Sequence, residues 1–225
     1  MELLEYHFNN LHGNLYYDER ANRYEMFSGR GKAMHINYLT FKELFKNMLE
    51  IKEPIILESG ISSYGINSTH LFNEYVRKYG GQFWSCDINP ELVNKYRGDM
   101  CPGSKLICDD SVSFFSNWSL SGSPSPDVIY LDSYDLDFYN PEPSAEHCLK
   151  EYNAILPSVK RNTLLLIDDT PSAPYWMDFR DKLYYDMIEY YKVNNCLPGK
   201  GMSVIKEPKN ADMLIHNYQV LYKFK

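Results

Sequence analysis

No run of the chain approaches the ~20 consecutive apolar residues that a membrane-spanning helix needs. The first residues, Met1-Glu-Leu-Leu-Glu-Tyr-His-Phe8, are acidic where a secretory leader is basic, and they lack its apolar stretch and small-residue cleavage site. The sequence therefore predicts a soluble, cytoplasmic protein with no membrane partner. Positive charge is scarce: 23 Lys and Arg stand against 30 Asp and Glu, a net −7, and no Lys/Arg block occurs. Phosphate contacts need a basic face, so no nucleic-acid partner is expected. Cysteine is sparse and unpatterned. Cys86, Cys101, Cys108, Cys148 and Cys196 are odd in number and contain no C-x-x-C, which argues against a disulfide framework and a cysteine-built zinc site. The N-x-S/T sequons at Asn67 and Asn117 are inert without secretion. Also missing are G-x-G-x-x-G and G-x-x-x-x-G-K-[ST], the usual cradles for dinucleotide and nucleoside-triphosphate pyrophosphates.

Hydrophobic residues make up 44% of the 225, enough to build the core of one globular domain. From residue 54 short apolar runs alternate with helical patterns, the sequence form of a parallel sheet with crossover helices. Pro54–Glu58, Phe83–Asp87, Lys105–Cys108, Val128–Leu131 and Thr163–Ile167 read as five strands. Leu71, Phe72, Tyr75, Val76 and Tyr79 recur at helical spacing until Gly80-Gly81 stops them. Residues 90–98 read as a short helix, Phe114, Phe115 and Trp118 mark another, and Ala145, Cys148, Leu149, Tyr152, Ile155 and Leu156 form one apolar stripe. A long helix is expected over 174–191, with Trp176, Phe179, Leu183, Met187 and Tyr190 on one face, and residues 201–206 and 217–224 read as a closing antiparallel pair. Ser121–Pro126 is a surface connection, because the alternation resumes beyond it. The first 50 residues stand apart as one or two helices, the clearer over 36–50, around an irregular stretch from Ser28 to Lys32. One domain over 1–225 is expected, with 1–50 as an N-terminal helical lid and 54–225 as the cofactor-binding core. Arg30, Lys32 and His35 would lie in that lid, where either cationic side chain could meet an anionic substrate.

In an open α/β sheet, ligands bind beyond the carboxyl ends of the strands. Those ends are Glu58, Asp87, Asp109-Asp110, Asp132 and Asp168-Asp169, every one acidic. One such residue is accounted for as a helix cap, but crowded like charges repel unless cations or hydroxyl-rich ligands sit among them. The loop Glu58-Ser-Gly60-Ile-Ser62-Ser-Tyr-Gly65 follows a strand and opens a helix, so its backbone can approach a ligand closely. Its leading carboxylate would repel a pyrophosphate and suit a cationic amino or sulfonium group. Asp87, 22 residues past Gly65, stands where a carboxylate accepts hydrogen bonds from ribose hydroxyls.

Glu58-x-Gly60 with Gly65, Asp87, Asp110-Ser111, Asp132 and Asp168-Asp169 resembles the ordered motif set of class I S-adenosylmethionine-dependent methyltransferases, over residues 54 to 224. The resemblance implies an α/β fold, a Rossmann-like seven-stranded, mostly parallel sheet with helices on both faces, in the order 3-2-1-4-5-7-6 with strand 7 antiparallel. It implies S-adenosylmethionine as cofactor, with Glu58 and Gly60 facing its methionine part beside Ser62, Gly65 and Ser68. Asp87 would then hold the ribose, and Asp110 and Ser111 would flank the adenine. Tyr130-Leu-Asp132-Ser-Tyr-Asp135 and Leu166-Ile-Asp168-Asp169 resemble the metal-binding segments of cation-dependent O-methyltransferases of the catechol and macrocin types. That implies Asp132, Asp168 and Asp169 as ligands of one Mg²⁺, a hard cation suited to carboxylates. The chain departs from the catechol type in a longer glycine loop and in Asp135, which stands where that type has its catalytic lysine.

Several residues keep two readings. Asp168-Asp169 are metal ligands or a helix cap before Thr170-Pro171, and Asp132 is a ligand and catalytic carboxylate or a plain strand-end acid. Asp135 is a general base or loop decoration. His147 is a second base candidate, with a solvated surface histidine near Ser144 and Glu151 as the preferred reading. The reaction expected is Mg²⁺-assisted methyl transfer to a hydroxyl of a small oxygen-rich metabolite or sugar unit, free or carrier-linked. A homodimer is compatible with it. A metal-independent methyltransferase, a nicotinamide-dependent oxidoreductase or epimerase, and a non-catalytic cofactor-fold subunit serving a partner stay open as alternatives.

Overall fold

The computed structural model describes residues 1–11, 35–61, 65–174, 181–206 and 210–225, together with the backbone of 16–18 and 23–25. In chain order its elements are α1 (Glu2–Asn9), β1 (Tyr16–Asp18), β2 (Arg23–Glu25), α2 (Tyr38–Met48), β3 (Ile55–Ser59), α3 (Ser68–Tyr79), β4 (Gln82–Asp87) and α4 (Pro90–Arg97). There follow β5 (Ser104–Cys108), α5 (Ser111–Leu120), β6 (Val128–Leu131), α6 (Glu142–Ile155), β7 (Leu164–Ile167), α7 (Lys182–Asn194), β8 (Ala211–His216) and β9 (Val220–Phe224). The short strands β1 and β2 pair with each other, antiparallel. The other seven form one sheet in the order β5-β4-β3-β6-β7-β9-β8. β3 to β7 are mutually parallel, and β9 runs antiparallel between β7 and β8. Counted within that sheet, the order is 3-2-1-4-5-7-6, the Rossmann-like methyltransferase fold.

Side chains of a strand alternate between the two faces of a sheet, and here each face has its own core. On one face Ile56, Tyr130, Leu164, Leu166 and Leu221 pack with Leu71, Phe72 and Tyr75 of α3. Leu4 and Phe8 of α1 and Phe41, Leu44, Phe45 and Met48 of α2 close that same layer. On the other face Leu57, Ile129, Leu131, Leu165 and Ile167 pack with Phe114, Phe115 and Trp118 of α5 and with Cys148, Tyr152 and Ile155 of α6. The central strands β6 and β7 are buried along their whole length, which is why their sequences are unbroken apolar runs. Each fully buried Leu or Phe contributes about 1.5–3 kcal/mol, so the N-terminal helices belong to the core layer rather than lying loosely over it.

One expected element is corrected. Residues 201–206 are no strand; Lys200–Met202 form a 3-10 turn and the hairpin partner of β9 is β8. The cause is close packing against the loop after β7: a Cβ on Gly199 would lie 2.6 Å from the Asp169 carbonyl oxygen, and one on Gly201 would lie 2.6 Å from Thr170 Oγ1. Of the helix expected over 174–191, the described residues show α7 from Lys182, with the Asp181 side chain capping it by accepting from the Leu183 N–H. Trp176 and Phe179 lie outside the described residues, as do Arg30, Lys32 and the stretch from Ser28.

Candidate active site

A cavity of about 1060 Å³ opens beyond the carboxyl ends of the parallel strands. Just past the end of β3 the chain passes close to the residues that follow β6. Gly60 has φ +83°, and a Cβ there would sit 2.6 Å from the Asp132 carbonyl oxygen, so glycine alone fits. Its N–H donates to the Cys86 carbonyl at 2.8 Å, and Gly60 and Gly65 both line the cavity. Glu58 and Ser68 lie behind this wall rather than on it. Fully buried, Glu58 accepts from Ser68 Oγ at 2.6 Å and Thr69 Oγ1 at 2.7 Å, which fastens β3 to the first turn of α3. Burial, opposed by the Ser68 hydroxyl, pushes its carboxyl up to about 7. Helix α1 reaches the same loop, with His7 Nε2 at 2.7 Å from the Ile66 carbonyl. Ser62 is outside the described residues.

Beyond β4 and β5 the polar groups are held by their own turns. Asp87 accepts from the Asn89 N–H at 2.7 Å and the Ile61 N–H at 3.0 Å, which fixes its carboxylate on the cavity wall. Asp110 caps α5 by accepting from the Ser113 N–H. The wall then passes from Ser111 to His147, whose Nε2 is 2.9 Å from Ser111 Oγ. His147 is 21% exposed, with the Tyr134 ring 5.4 Å from its own and Glu151 at 3.7 Å. The expectation of a solvated surface histidine is thus corrected: α6 turns this side chain inward, and Tyr134 covers it. Buried Glu151 is oriented by Ser133, whose hydroxyl donates to it at 2.6 Å.

Beyond β6 and β7 the carboxylates are held by side chains from distant segments. Asp132, Asp168 and Asp169 converge on the wall, and Lys200 joins them from the 3-10 turn. Its Nζ lies 2.8 Å from Asp132 Oδ1 and 3.1 Å from Asp169 Oδ2. Asp168 accepts from Tyr130 Oη at 2.7 Å, from Gln219 Nε2 at 2.9 Å and from the Asp169 N–H at 2.8 Å. Tyr218 Oη donates to Asp169 Oδ1 at 2.6 Å, and Tyr130 Oη lies 3.2 Å from Asp132 Oδ2. Burial and mutual repulsion raise the Asp132 and Asp168 carboxyls, with Lys200 pulling the other way. Burial would lower the lysine, but the three carboxylates outweigh it and hold it charged, well above its usual range. Asp135 follows on the exposed loop that lines the cavity.

This arrangement bears directly on the expected Mg²⁺ site at Asp132, Asp168 and Asp169. Five of the six carboxylate oxygens of the three aspartates accept from a protein donor, the single Tyr130 hydroxyl proton going to Asp168 at 2.7 Å rather than to Asp132 at 3.2 Å, and an ammonium stands between Asp132 and Asp169. Among the described residues, no group of three or more His, Cys, Asp or Glu is arranged to hold a metal ion. Side-chain donors, rather than helix N–H groups, also account for Asp168-Asp169 better than a cap does.

The N-terminal region supplies the last wall through His35, Ile36 and Asn37. Burial lowers His35 to about 4, so its ring is neutral, and its Nδ1 accepts from the Asn37 N–H at 3.2 Å. Asn37 is buried, with Nδ2 3.4 Å from Asp168 Oδ1, and its Oδ1 has no hydrogen-bond partner among the described residues. Sequence reasoning passed over Asn37, Lys200, Tyr218 and Gln219. The legible signal was Gly199-Lys200-Gly201, two glycines framing one cation, which marks a close backbone approach.

No family model and no curated protein matches the sequence. Solved structures do. A MycE methyltransferase from the mycinamycin biosynthetic pathway, in complex with Mg and SAH, aligns at a TM-score of 0.57 and 15% identity, covering 88% of this chain and 51% of that one. A MycE structure with Mg, SAH and mycinamycin VI gives 0.54 and 14%, with coverage of 88% and 51%. The likeness is one of fold. The chain spans about half the length of these neighbours.

Proposed function

We infer that the protein is an S-adenosylmethionine-dependent methyltransferase acting on a hydroxyl of a small oxygen-rich metabolite or sugar unit. The observation that carries this reading is the continuity of one cavity from Asp87, Asp110 and Ser111 to the carboxylate–lysine cluster. One end offers a fixed carboxylate suited to a ribose diol, followed by the exposed apolar side chain of Ile88. Asp110 and Ser111, next along, suit the edge of a purine, and Gly60 lets the chain pass close beneath a ligand. These groups fit S-adenosylmethionine, which when bound supplies a sulfonium methyl group for transfer to a nucleophile.

The other end is the acceptor side. Asn37 lines this end, its amide nitrogen 3.4 Å from Asp168 Oδ1, and helps shape the wall against which the acceptor is positioned. Asp135, exposed on the same wall, receives the hydroxyl proton as the oxygen takes the methyl group. Asp132 is held by Lys200 and shapes the field around that oxygen. His147 binds at the Ser111 end and takes no part in proton removal. Fold topology also argues against the nicotinamide alternative: dinucleotide sheets run 3-2-1-4-5-6 in parallel, whereas here an antiparallel β9 is inserted before the edge strand.

The test is incubation of the purified protein with tritiated-methyl S-adenosylmethionine and a fractionated pool of small hydroxylated metabolites. Label is expected in a sugar-containing, base-stable ether. Label confined to nucleic acid or protein would reject the small-molecule reading.

A further inference from the structure

Lys200 carries a positive charge into a buried part of the cavity wall, and its backbone leaves it little freedom. Its own N–H donates to the Asp169 carbonyl at 2.9 Å, and the next N–H, of Gly201, donates to Thr170 Oγ1 at 2.9 Å. The glycines on either side have no room for a Cβ, so the turn is pressed onto the loop that bears Asp168 and Asp169. The side chain is only 4% exposed, and Nζ makes contact at 2.8 Å with Asp132, at 3.1 Å with Asp169 and at 3.4 Å with the Asp132 carbonyl. Those carboxylates come from the ends of two adjacent strands and would repel across the gap without a cation. A divalent ion placed between them would stand against the ammonium, and would have to displace it from Asp132 Oδ1 and Asp169 Oδ2.

We propose that Lys200 is the resident cation of this trio, a positioning residue that bridges Asp132 and Asp169 in place of a divalent metal ion. The site then works on a fixed internal charge, and neither cofactor nor acceptor binding needs a metal. The proposal rests on the methyltransferase reading for its purpose, but not for its test.

The test is titration of Mn²⁺ into the full chain, followed by electron paramagnetic resonance of the free ion and by thermal melting. The wild type is expected to bind no Mn²⁺ at the trio and to keep its melting temperature. Lys200→Met and Lys200→Gln remove the competing charge while leaving the aspartates in place. Each is expected to bind Mn²⁺ at least about 100-fold more tightly than the wild type, because a like charge within contact distance is gone. Mn²⁺ should raise the melting temperature of both variants, and adding Asp169→Asn should abolish the gain. A merely structural lysine would give variants that melt lower and stay silent to Mn²⁺, which overturns the proposal. Wild-type Mn²⁺ binding that Asp169→Asn abolishes also overturns it, and this holds even if neither lysine variant folds. Binding of S-adenosylhomocysteine is measured separately. Its absence alongside the expected Mn²⁺ pattern would reject the methyltransferase reading and leave the lysine assignment standing.

Discussion

The two ends of the cavity hold their carboxylates by different means. Beyond β4 and β5, Asp87 and Asp110 are fixed by backbone amides, those of Asn89 and Ser113 a few residues on and that of Ile61 in the glycine loop, and both residues line the cavity. Beyond β6 and β7, Asp132, Asp168 and Asp169 are fixed by side chains of Tyr130, Lys200, Tyr218 and Gln219, brought in by a turn and a hairpin far along the chain. Backbone amides make a site that forms once its turns and the glycine loop are in place. Remote side chains make one that exists only when the whole sheet edge is assembled. The first kind suits a ligand common to many enzymes of one fold; the second can be rewired without disturbing it.

The largest effect that would break this comparison is expected at Lys200. Lys200→Met leaves buried carboxylates uncompensated and should lower stability by about 3–5 kcal/mol, read by chemical denaturation; an unchanged midpoint would show the charge to be idle. Next comes Glu58. Its folded carboxyl titrates at about 7 against 4.5 when unperturbed, so the folded state binds the proton more tightly. Stability should therefore be highest below about pH 4.5 from this group, fall as pH rises to about 7, and stay level above, a span of order 3 kcal/mol. Glu58→Gln mimics the protonated form, keeps the bonds to Ser68 and Thr69, and should flatten that part of the wild-type profile. At the local end, Asp87→Ala should leave the melting temperature nearly unchanged and cost about 2 kcal/mol of S-adenosylhomocysteine binding. His147→Ala, which removes only a neighbour of Ser111, should cost about 1 kcal/mol of the same binding by calorimetry.

The legibility of the site follows the same division. The strands β3 to β7 were readable because each is a compact apolar run closed by an acid, and Asp87 because it closes the strand that follows the glycine loop at a fixed spacing. Helix α2 was readable from its own periodicity, though not its burial against α1 and α3. Lys200 was not readable as a site residue, since its partner Asp132 lies 68 residues upstream, and its turn was taken for a strand. Gln219 meets Tyr130 across 89 residues, and only the antiparallel placement of β9 brings them together. β8 was missed because an edge strand with a register shift between Met213 and Ile215 has no clean alternation to read. His147 was misjudged because its distance from the apolar stripe says nothing of Tyr134, which arrives from the preceding loop to cover it.

The most direct test of the central claim is calorimetric titration of S-adenosylhomocysteine and of NAD⁺ into the purified chain with EDTA present. The account expects one molecule of S-adenosylhomocysteine to bind with micromolar affinity, undiminished by the chelator and weakened by Asp87→Ala, and NAD⁺ to give no heat. Binding of NAD⁺ alone, or of neither ligand, would contradict it.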